Sequence, residues 1–324
     1  MKHEEGRTIR DQKGMLPNQE EMICNEEGMI RDRNGLTESQ FLAQYDAGDY
    51  ERPSVATDMV IFTVMDAEKD NYRKLPEKAL RVLLIQRGGH PYLGKWALPG
   101  GFVRPNETTE QAAVRELREE TGVDHVYLEQ LYTFSEPHRD PRTWVMSCSY
   151  MALIDSSQVE LQAGDDAEHA AWFTLSYRLI KEQKDILESG VIRSWHYELI
   201  LTSERDTLTA LVERKMTLTE SATHTEYNIL SNNGLAFDHA KIISAAIERL
   251  RGKVEYTGIA LHLMPQLFTL TALQQVYEVI LGKELLKAAF RRKVTHLVTE
   301  SDHYTENAGH RPSRLYRRNW EMMS

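Results

Sequence analysis

Cysteine is almost missing from this chain: its 324 residues include two, Cys24 and Cys148. Two thiols can form neither a disulfide framework nor a cysteine metal cluster, so the expectation is a protein of the reducing cytoplasm. Long apolar runs are missing as well. No uninterrupted stretch approaches the roughly 18 residues that span a bilayer. The opening MKHEEGRTIRDQKG lacks the apolar segment of a secretory signal, and no membrane partner is expected. There is no internal repeat and no low-complexity tract. Excess positive charge is also lacking, since a formal net charge of -10 argues against a surface that binds polyanions as a whole. What remains is a globular composition, 41% hydrophobic and 27% charged, at a length that accommodates about two domains.

The average charge hides a reversal. Between residues 281 and 318 stand nine basic side chains (Lys283, Lys287, Arg291, Arg292, Lys293, Arg311, Arg314, Arg317 and Arg318) against four acidic ones, a local charge of +5. Such asymmetry within one chain suggests two tasks. Residues 1 to about 36 are polar and without a sustained period; TESQFLAQYDA follows, with Thr37 and Gln40 spaced as a capping box. MVIFTVMD, RVLLIQR, WALPGG, HVYLEQLYTF, WVMSCSYMALI and AAWFTL read as strands of a mixed α/β domain. Residues 177–233 are ambiguous: LIKEQKDILESG has helical character while YELILT and LTALVERKMTLTE alternate, so the segment reads as a decoration. FDHAKIISAAIERLRG reads as an amphipathic helix ending near Gly252, with Arg249 and Arg251 complementing the dipole in its last turn. The expected organisation is an extension over residues 1–48, an α/β domain over 49–252 and a smaller domain over 253–324.

The stretch GGFVRPNETTEQAAVRELREETGV gathers carboxylates on one helix. Thr108 with Gln111 forms a second capping box, and Gly122 is a stop. Glu116, Glu119 and Glu120 stand at i, i+3 and i+4, on nearly one face, where each like-charge pair costs about 0.2–0.5 kcal/mol. Arg115 offsets part of that. A solvated acidic face is one explanation; a divalent cation, which prefers carboxylate oxygen, is the other. The wider spacing favours the cation. It reads G-x5-E-x7-R-E-U-x-E-E-x-G-U, with U a bulky aliphatic residue, and is filled by Gly101, Glu107, Arg115, Glu116, Leu117, Glu119, Glu120, Gly122 and Val123. A chance match in such a chain is on the order of 10⁻⁷ at average residue frequencies.

This pattern is the Nudix box, and the segment resembles the MutT/Nudix hydrolase family at every fixed position. RVLLIQRG, GKWALPGGF and DDAEHAAWF resemble the segments that flank the box, so the similarity covers roughly residues 53–173. The resemblance implies an α/β/α sandwich with a mixed sheet. It implies that Glu116, Glu119 and Glu120, helped by the Gly101 backbone, hold Mg²⁺ or Mn²⁺, and that Glu107 and Arg115 orient the helix. A catalytic base lies outside the box in many members, and Asp165, Asp166 and Glu168, ahead of the strand AAWF, are candidates. The implied reaction is attack of water on a diphosphate.

The box does not select the substrate, a nucleoside diphosphate derivative. QRGGHPYLGKW and SEPHRDPRTW bring Arg87, Arg139, Arg142, Tyr92, Trp96 and Trp144 to loops, where guanidinium can grip phosphate and rings can stack on a base. The alternatives are core packing for the rings and surface ion pairs for the arginines. These segments resemble the ADP-ribose branch, which makes ADP-ribose, cleaved to AMP and ribose 5-phosphate, the expected substrate.

At the basic end, Leu273, Val276, Tyr277 and Ile280 form an i, i+3, i+4, i+7 buried stripe. After Gly282 a second helix is expected, with Leu285, Leu286, Ala289 and Phe290 inward and Lys287 and Arg291 outward. Hairpin residues at Asn307 to Gly309 follow. Helix, turn, basic helix and basic hairpin are the parts of a winged helix-turn-helix, although a helical cap or dimerisation domain has a similar pattern. FTLTALQQVYEVILGKELLKAAFRRKV and GHRPSRLYR resemble the C-terminal domain of Nudix-related transcriptional regulators of NAD metabolism. That resemblance implies a homodimer on operator DNA, with Lys287, Arg291, Arg292 and Lys293 at the major groove and Arg311, Arg314 and Arg317 on phosphate or minor groove. Those regulators commonly carry a degraded box, whereas this one is intact. Hydrolysis is therefore the first expectation, and an ADP-ribose-responsive DNA-binding regulator the alternative.

Overall fold

The computed structural model describes residues 23–24, 30–67, 77–123, 126–158, 167–305, 312–319 and 321. The chain divides after Arg52 into two compact units. In the first, β1 (Ile23–Cys24) pairs antiparallel with β2 (Ile30–Arg31), and α1 spans Glu38–Gln44. The capping box read at its start is present: the Thr37 hydroxyl accepts from the Gln40 amide, and the Gln40 side chain accepts from the Thr37 amide.

The second unit is built on a ten-stranded mixed sheet. Its strands are β3 (Ser54–Asp66), β4 (Lys78–Arg87), β5 (Trp96–Ala97), β6 (Gly100–Phe102), β7 (Tyr127–Phe134), β8 (Val145–Leu153), β9 (Ala167–Leu187), β10 (Gly190–Thr202), β11 (Thr207–Thr219) and β12 (Thr223–Asn233). The order is β12-β11-β10-β9-β4-β3-β8-β7, with β5 beside β4 and β6 beside β3. Only β3 and β8 run parallel among the described strands. β3 is covered on both faces, which is why Met59, Val60, Ile61 and Phe62 form a continuous apolar run rather than an alternating one. On one face lies α2 (Thr109–Thr121), whose Ala113 and Leu117 pack with Met59, Ile61 and Tyr150. On the other lies α3 (His239–Val254), whose Ile243, Ile247 and Leu250 join the cluster of Val60 and Phe62. The expected α/β/α sandwich is formed.

One reading of the sequence is corrected. The helix expected in LIKEQKDILESG is strand: β9 continues through Leu187 and pairs with β10 along its length. Cross-strand pairing overrides a local helical pattern there. Residues 177–233 hold the second half of β9 and all of β10, β11 and β12, antiparallel strands that widen the sheet. The helix expected to end near Gly252 runs two residues further.

Beyond α3, a 3-10 turn over Ile259–Leu263 leads to α4 (Leu270–Leu281) and α5 (Lys287–Val294), then to a hairpin of β13 (Val298–Tyr304) and β14 (Arg314–Arg318). Phe268 and Tyr316 exchange backbone hydrogen bonds of 3.0 and 2.8 Å, so the segment before α4 forms a third strand position. The α4 stripe is buried as read, and Tyr277 meets Phe290 of α5 edge-on at 5.2 Å. The inward set of α5 differs. Leu286 is 82% exposed because it is the N-cap and not an interior residue, and Ala289 is exposed, so Phe290 and Val294 anchor the helix. Between the helices Gly282 is left-handed, at φ 68°. The turn is braced by Gln274, which donates to the Leu285 carbonyl at 2.8 Å, and by Glu278, which accepts from the Leu285 amide at 2.9 Å.

Leu273, Val276, Tyr277 and Ile280 of α4 and Phe290 and Val294 of α5 join the same apolar cluster as the sheet and α3, and polar groups add to that contact. Arg251 of α3 donates to the Ile280 carbonyl at the end of α4 (2.9 Å) and to the Tyr177 carbonyl of β9 (3.0 Å). His262 packs on the Tyr127 ring at 4.6 Å. Burial, with the Arg318 charge second, pushes the His262 pKa from 6.5 down to about 4. Between those values the unfolded chain binds the proton and the folded one does not, so stability falls as pH drops from 6.5 through 4. Thermal melts over that window should show a declining midpoint, with a smaller decline for His262→Gln; equal slopes for the two proteins would remove His262 as the cause.

Candidate functional site

The carboxylate helix is delimited as its sequence requires. Thr108 and Gln111 exchange the two capping-box hydrogen bonds, at 3.1 and 2.8 Å. Gly122 closes the helix in the left-handed conformation. In front of it runs β6. A side chain at Gly101 would place its Cβ 2.3 Å from Glu116 Oε1, so this glycine lets the strand pass directly over the carboxylate. At Gly100 a Cβ would meet the Thr57 carbonyl at 2.0 Å.

The three glutamates do not share one environment. Glu119 is half exposed, Glu116 mostly covered, and Glu120 is buried. Between the carboxylates lies Arg115, which donates to Glu107 at 2.9 and 3.2 Å, to Glu116 at 2.6 Å and to Glu119 at 3.4 Å. Glu107 also accepts from the Arg104 amide at 2.7 Å. The Arg115 hydrogen bond, with the amide second, holds Glu107 down to about 2. Arg115 is pushed above the usual arginine value, first by its bond to Glu107. Burial raises Glu116, against the pull of Arg115. The donor chemistry suits a hard cation, but the convergence does not: the carboxylates gather on a guanidinium. No group of three acidic, histidine or cysteine side chains is placed to hold a metal among the described residues. Arg115 takes one oxygen each of Glu116 and Glu119, and a cation would be held by the carboxylate oxygens of this helix.

Near Gly100 and Gly101 lies a cluster of rings and guanidinium groups. Arg87 stands 5.0 Å from the Phe237 ring centre, Tyr92 packs on the same ring at 4.7 Å, and Arg142 lies 5.3 Å from Phe102 and 5.9 Å from Phe237. Both Tyr92 (φ 64°) and Phe237 (φ 48°) have left-handed backbone, a conformation that bulky residues avoid and that concentrates at ligand sites. Arg142 is anchored by buried Asp140 yet remains 43% exposed at its side chain. Of the residues expected to grip substrate, Arg87, Arg142 and Tyr92 are thus brought together. Phe237 was not anticipated; its position just before the helix start was the available signal.

The other expected substrate contacts lie elsewhere. Trp96 is buried, edge-on to Phe173 at 4.8 Å. Trp144 is exposed. Arg139 is buried, bonded twice to Asp238 at 2.7 and 3.0 Å and to Asp58 at 3.3 Å. This cluster fixes the start of α3. His239, next in sequence, accepts from the Leu98 amide through Nδ1 at 2.8 Å, and burial lowers its pKa. Asp165 and Asp166 lie outside the described residues, and Glu168 is described only as backbone of β9.

On the α5 side, Lys287, Arg291 and Arg292 are exposed, as are Arg314 and Arg317 on β14. A cleft of about 400 Å³ lies between the start of α4, α5 and the hairpin, lined by Thr269, Arg291, Arg314 and Tyr316. Arg314 bonds to Glu300 and to the Tyr304 hydroxyl. Lys293, expected at the groove, is bonded to Glu255 at 3.2 Å, because α5 turns that side towards the end of α3. Arg311 and the hairpin tip at 307–309 lie outside the described residues.

The sheet, the box helix and the helix-turn-helix with its hairpin define a two-module protein. The NUDIX domain model matches residues 58–194, and the NrtR DNA-binding winged helix domain model matches residues 260–318. The chain belongs to the Nudix family and carries the NrtR type of winged helix. It is 34% identical over 287 residues to the ADPR responsive transcriptional repressor NtrR of Acinetobacter baylyi, covering 88% of this chain and 89% of that protein. A MutT/nudix family protein from Enterococcus faecalis superposes with a TM-score of 0.60 at 32% identity, over 88% of this chain and 94% of that one. NrtR from Shewanella oneidensis, complexed with a 27mer DNA, superposes with a TM-score of 0.53 at 28% identity, over 82% and 93%.

Arg115→Ala removes the cation that three glutamates share in a largely covered site. It should cost about 1–3 kcal/mol in urea unfolding. Mg²⁺ should then stabilise the variant more than the parent, by mass action on the released carboxylates. An unchanged unfolding midpoint would show that the ion pairs are energetically idle.

Proposed function

We propose that the protein is a DNA-binding transcriptional regulator whose Nudix module receives ADP-ribose. The similarity to a responsive repressor runs through nearly the whole of both chains, and that observation carries the reading. The arrangement supports it physically. Exposed basic residues stand on both α5 and β14, and Arg291 and Arg314 line one cleft, where they would meet phosphate and base edges. α3 begins at the Phe237 cluster and ends, through Arg251, on the last turn of α4. A ligand that moves the Phe237 backbone therefore acts on the helix that holds the DNA-binding module. The ligand's diphosphate would lie near Arg87 and Arg142, and its base would stack on Phe237 or Tyr92.

Gel shifts with a duplex from upstream of the protein's own gene test the proposal. Binding should weaken steeply with salt, and Arg291→Ala with Arg314→Ala should lower it by about tenfold or more. ADP-ribose should alter operator affinity by at least about fivefold, and DNA should alter ADP-ribose affinity by the same factor. An operator complex indifferent to ADP-ribose would sink the effector role. Phe237→Ala should weaken ADP-ribose binding by calorimetry while leaving ligand-free operator binding intact.

Hydrolysis is the second reading, favoured by one observation: every fixed position of the box is filled. It requires AMP release from ADP-ribose with added Mg²⁺, lost in Glu119→Gln. Wild-type turnover in that variant would exclude the box as the seat of any activity found.

A further inference from the structure

Three of the described helices, α1, α2 and α4, start on a threonine whose hydroxyl accepts from an amide of the first turn. That is the ordinary use of a cap position, and leucine is among the residues least suited to it. α5 starts on Leu286, whose side chain makes no such bond. At 82% exposure it is also the most exposed large apolar side chain among the described residues. Its neighbour Leu285 is fully engaged. That side chain packs on the core cluster, its carbonyl accepts from buried Gln274 at 2.8 Å, and its amide donates to Glu278 at 2.9 Å. The Leu286 carbonyl accepts the first helical hydrogen bond, from the Phe290 amide at 2.9 Å. The backbone is therefore fixed on both sides of a leucine side chain that is left to solvent.

The residues around Leu286 select what would cover it. Ala288 and Ala289, in the first turn, are exposed as well, and every charge on α5 is positive. Ala288 stands three and four positions before Arg291 and Arg292, and Lys287 four before Arg291, so the open first turn continues into the basic side of the helix. Arg291 reaches the cleft that Arg314 also lines. Cations beside a small apolar tip complement a groove whose walls are phosphate and whose floor carries an apolar group. The major groove of DNA is such a surface, and the apolar group displayed on its floor is the C5 methyl of thymine. The start of the second helix of a helix-turn-helix is also the part that reaches base edges. Serine, threonine or aspartate at the cap would serve the helix better but offer that methyl group no apolar partner.

We propose that Leu286 is a specificity-determining residue, whose side chain meets the C5 methyl group of a thymine in the major groove of the operator. The contact rests on the DNA-binding reading above and adds to it a group that distinguishes one base from another, which phosphate contacts do not. Full-length protein can be used to select its preferred duplex from a random pool, after which each thymine is replaced singly by deoxyuridine, a change that deletes only the methyl group. At least one replacement should weaken binding by the parent about fourfold, the worth of one buried methyl group, and the same replacement should change binding by Leu286→Ala less than about twofold. Leu286→Ser, which supplies the missing cap, should melt at the parent's temperature or above, yet bind the selected duplex at least about fivefold more weakly. Its affinity for an unrelated duplex should stay at the parent's. A leucine kept for folding gives the reverse, a lower melting temperature with duplex preference unchanged. A parent that prefers its duplex but ignores every thymine replacement overturns the proposal and leaves DNA binding standing. So does Leu286→Ala that stays as sensitive to the replacements as the parent, or Leu286→Ser that loses affinity equally for both duplexes. A pool that yields no preferred duplex overturns the DNA-binding reading and this contact together.

Discussion

One helix has to satisfy three environments at once, and the second unit depends on its doing so. α3 closes one face of the sheet with a fully buried apolar side: Ala240, Ile242, Ile243 and Ala246 are all 0% exposed. Its start is held by Asp58, Arg139 and Asp238, and its length is fastened to β7 by Arg249 and Lys253 on Glu129, at 3.0 and 2.6 Å. Its end meets α4 through Arg251 and α5 through Glu255. A rigid rod pinned at both ends carries displacement better than a flexible linker, because packed interfaces switch between arrangements rather than deform.

The box helix solves a different problem. Like charges at helical spacing repel, and the chain relieves this with Arg115, whose planar fork bonds three carboxylates. A hard cation would draw on the same carboxylates.

Much of this was legible in the sequence where local and distant demands agree. The caps of α1 and α2, the apolar run of β3 and the α4 stripe are each written into residues a few positions apart. β9 was not legible, because Lys181 with Asp185 and Lys184 with Glu188 also suit a helix; only β10, sequence-adjacent but paired across a hairpin, imposes the strand. The role of Arg139 was hidden for a similar reason. Its partners Asp58 and Asp238 lie 81 and 99 residues away, and no spacing rule reaches that far. The box glutamates could be placed on one helix from sequence, but their unequal burial follows from how α2 sits under β6.

The position of α3 along the chain has a consequence for biosynthesis. The strands that form the sheet are complete at Asn233, before the first turn of α3 has been made. Until residues 239–254 leave the ribosome, Val60, Phe62, Val82 and Leu84 face water on one side. Nascent chains fold from their N-terminal parts first and are prone to association while apolar surface stands open. The sheet of this protein can close only when the helix that carries the winged module arrives, so a chain halted before that helix exposes a sticky face.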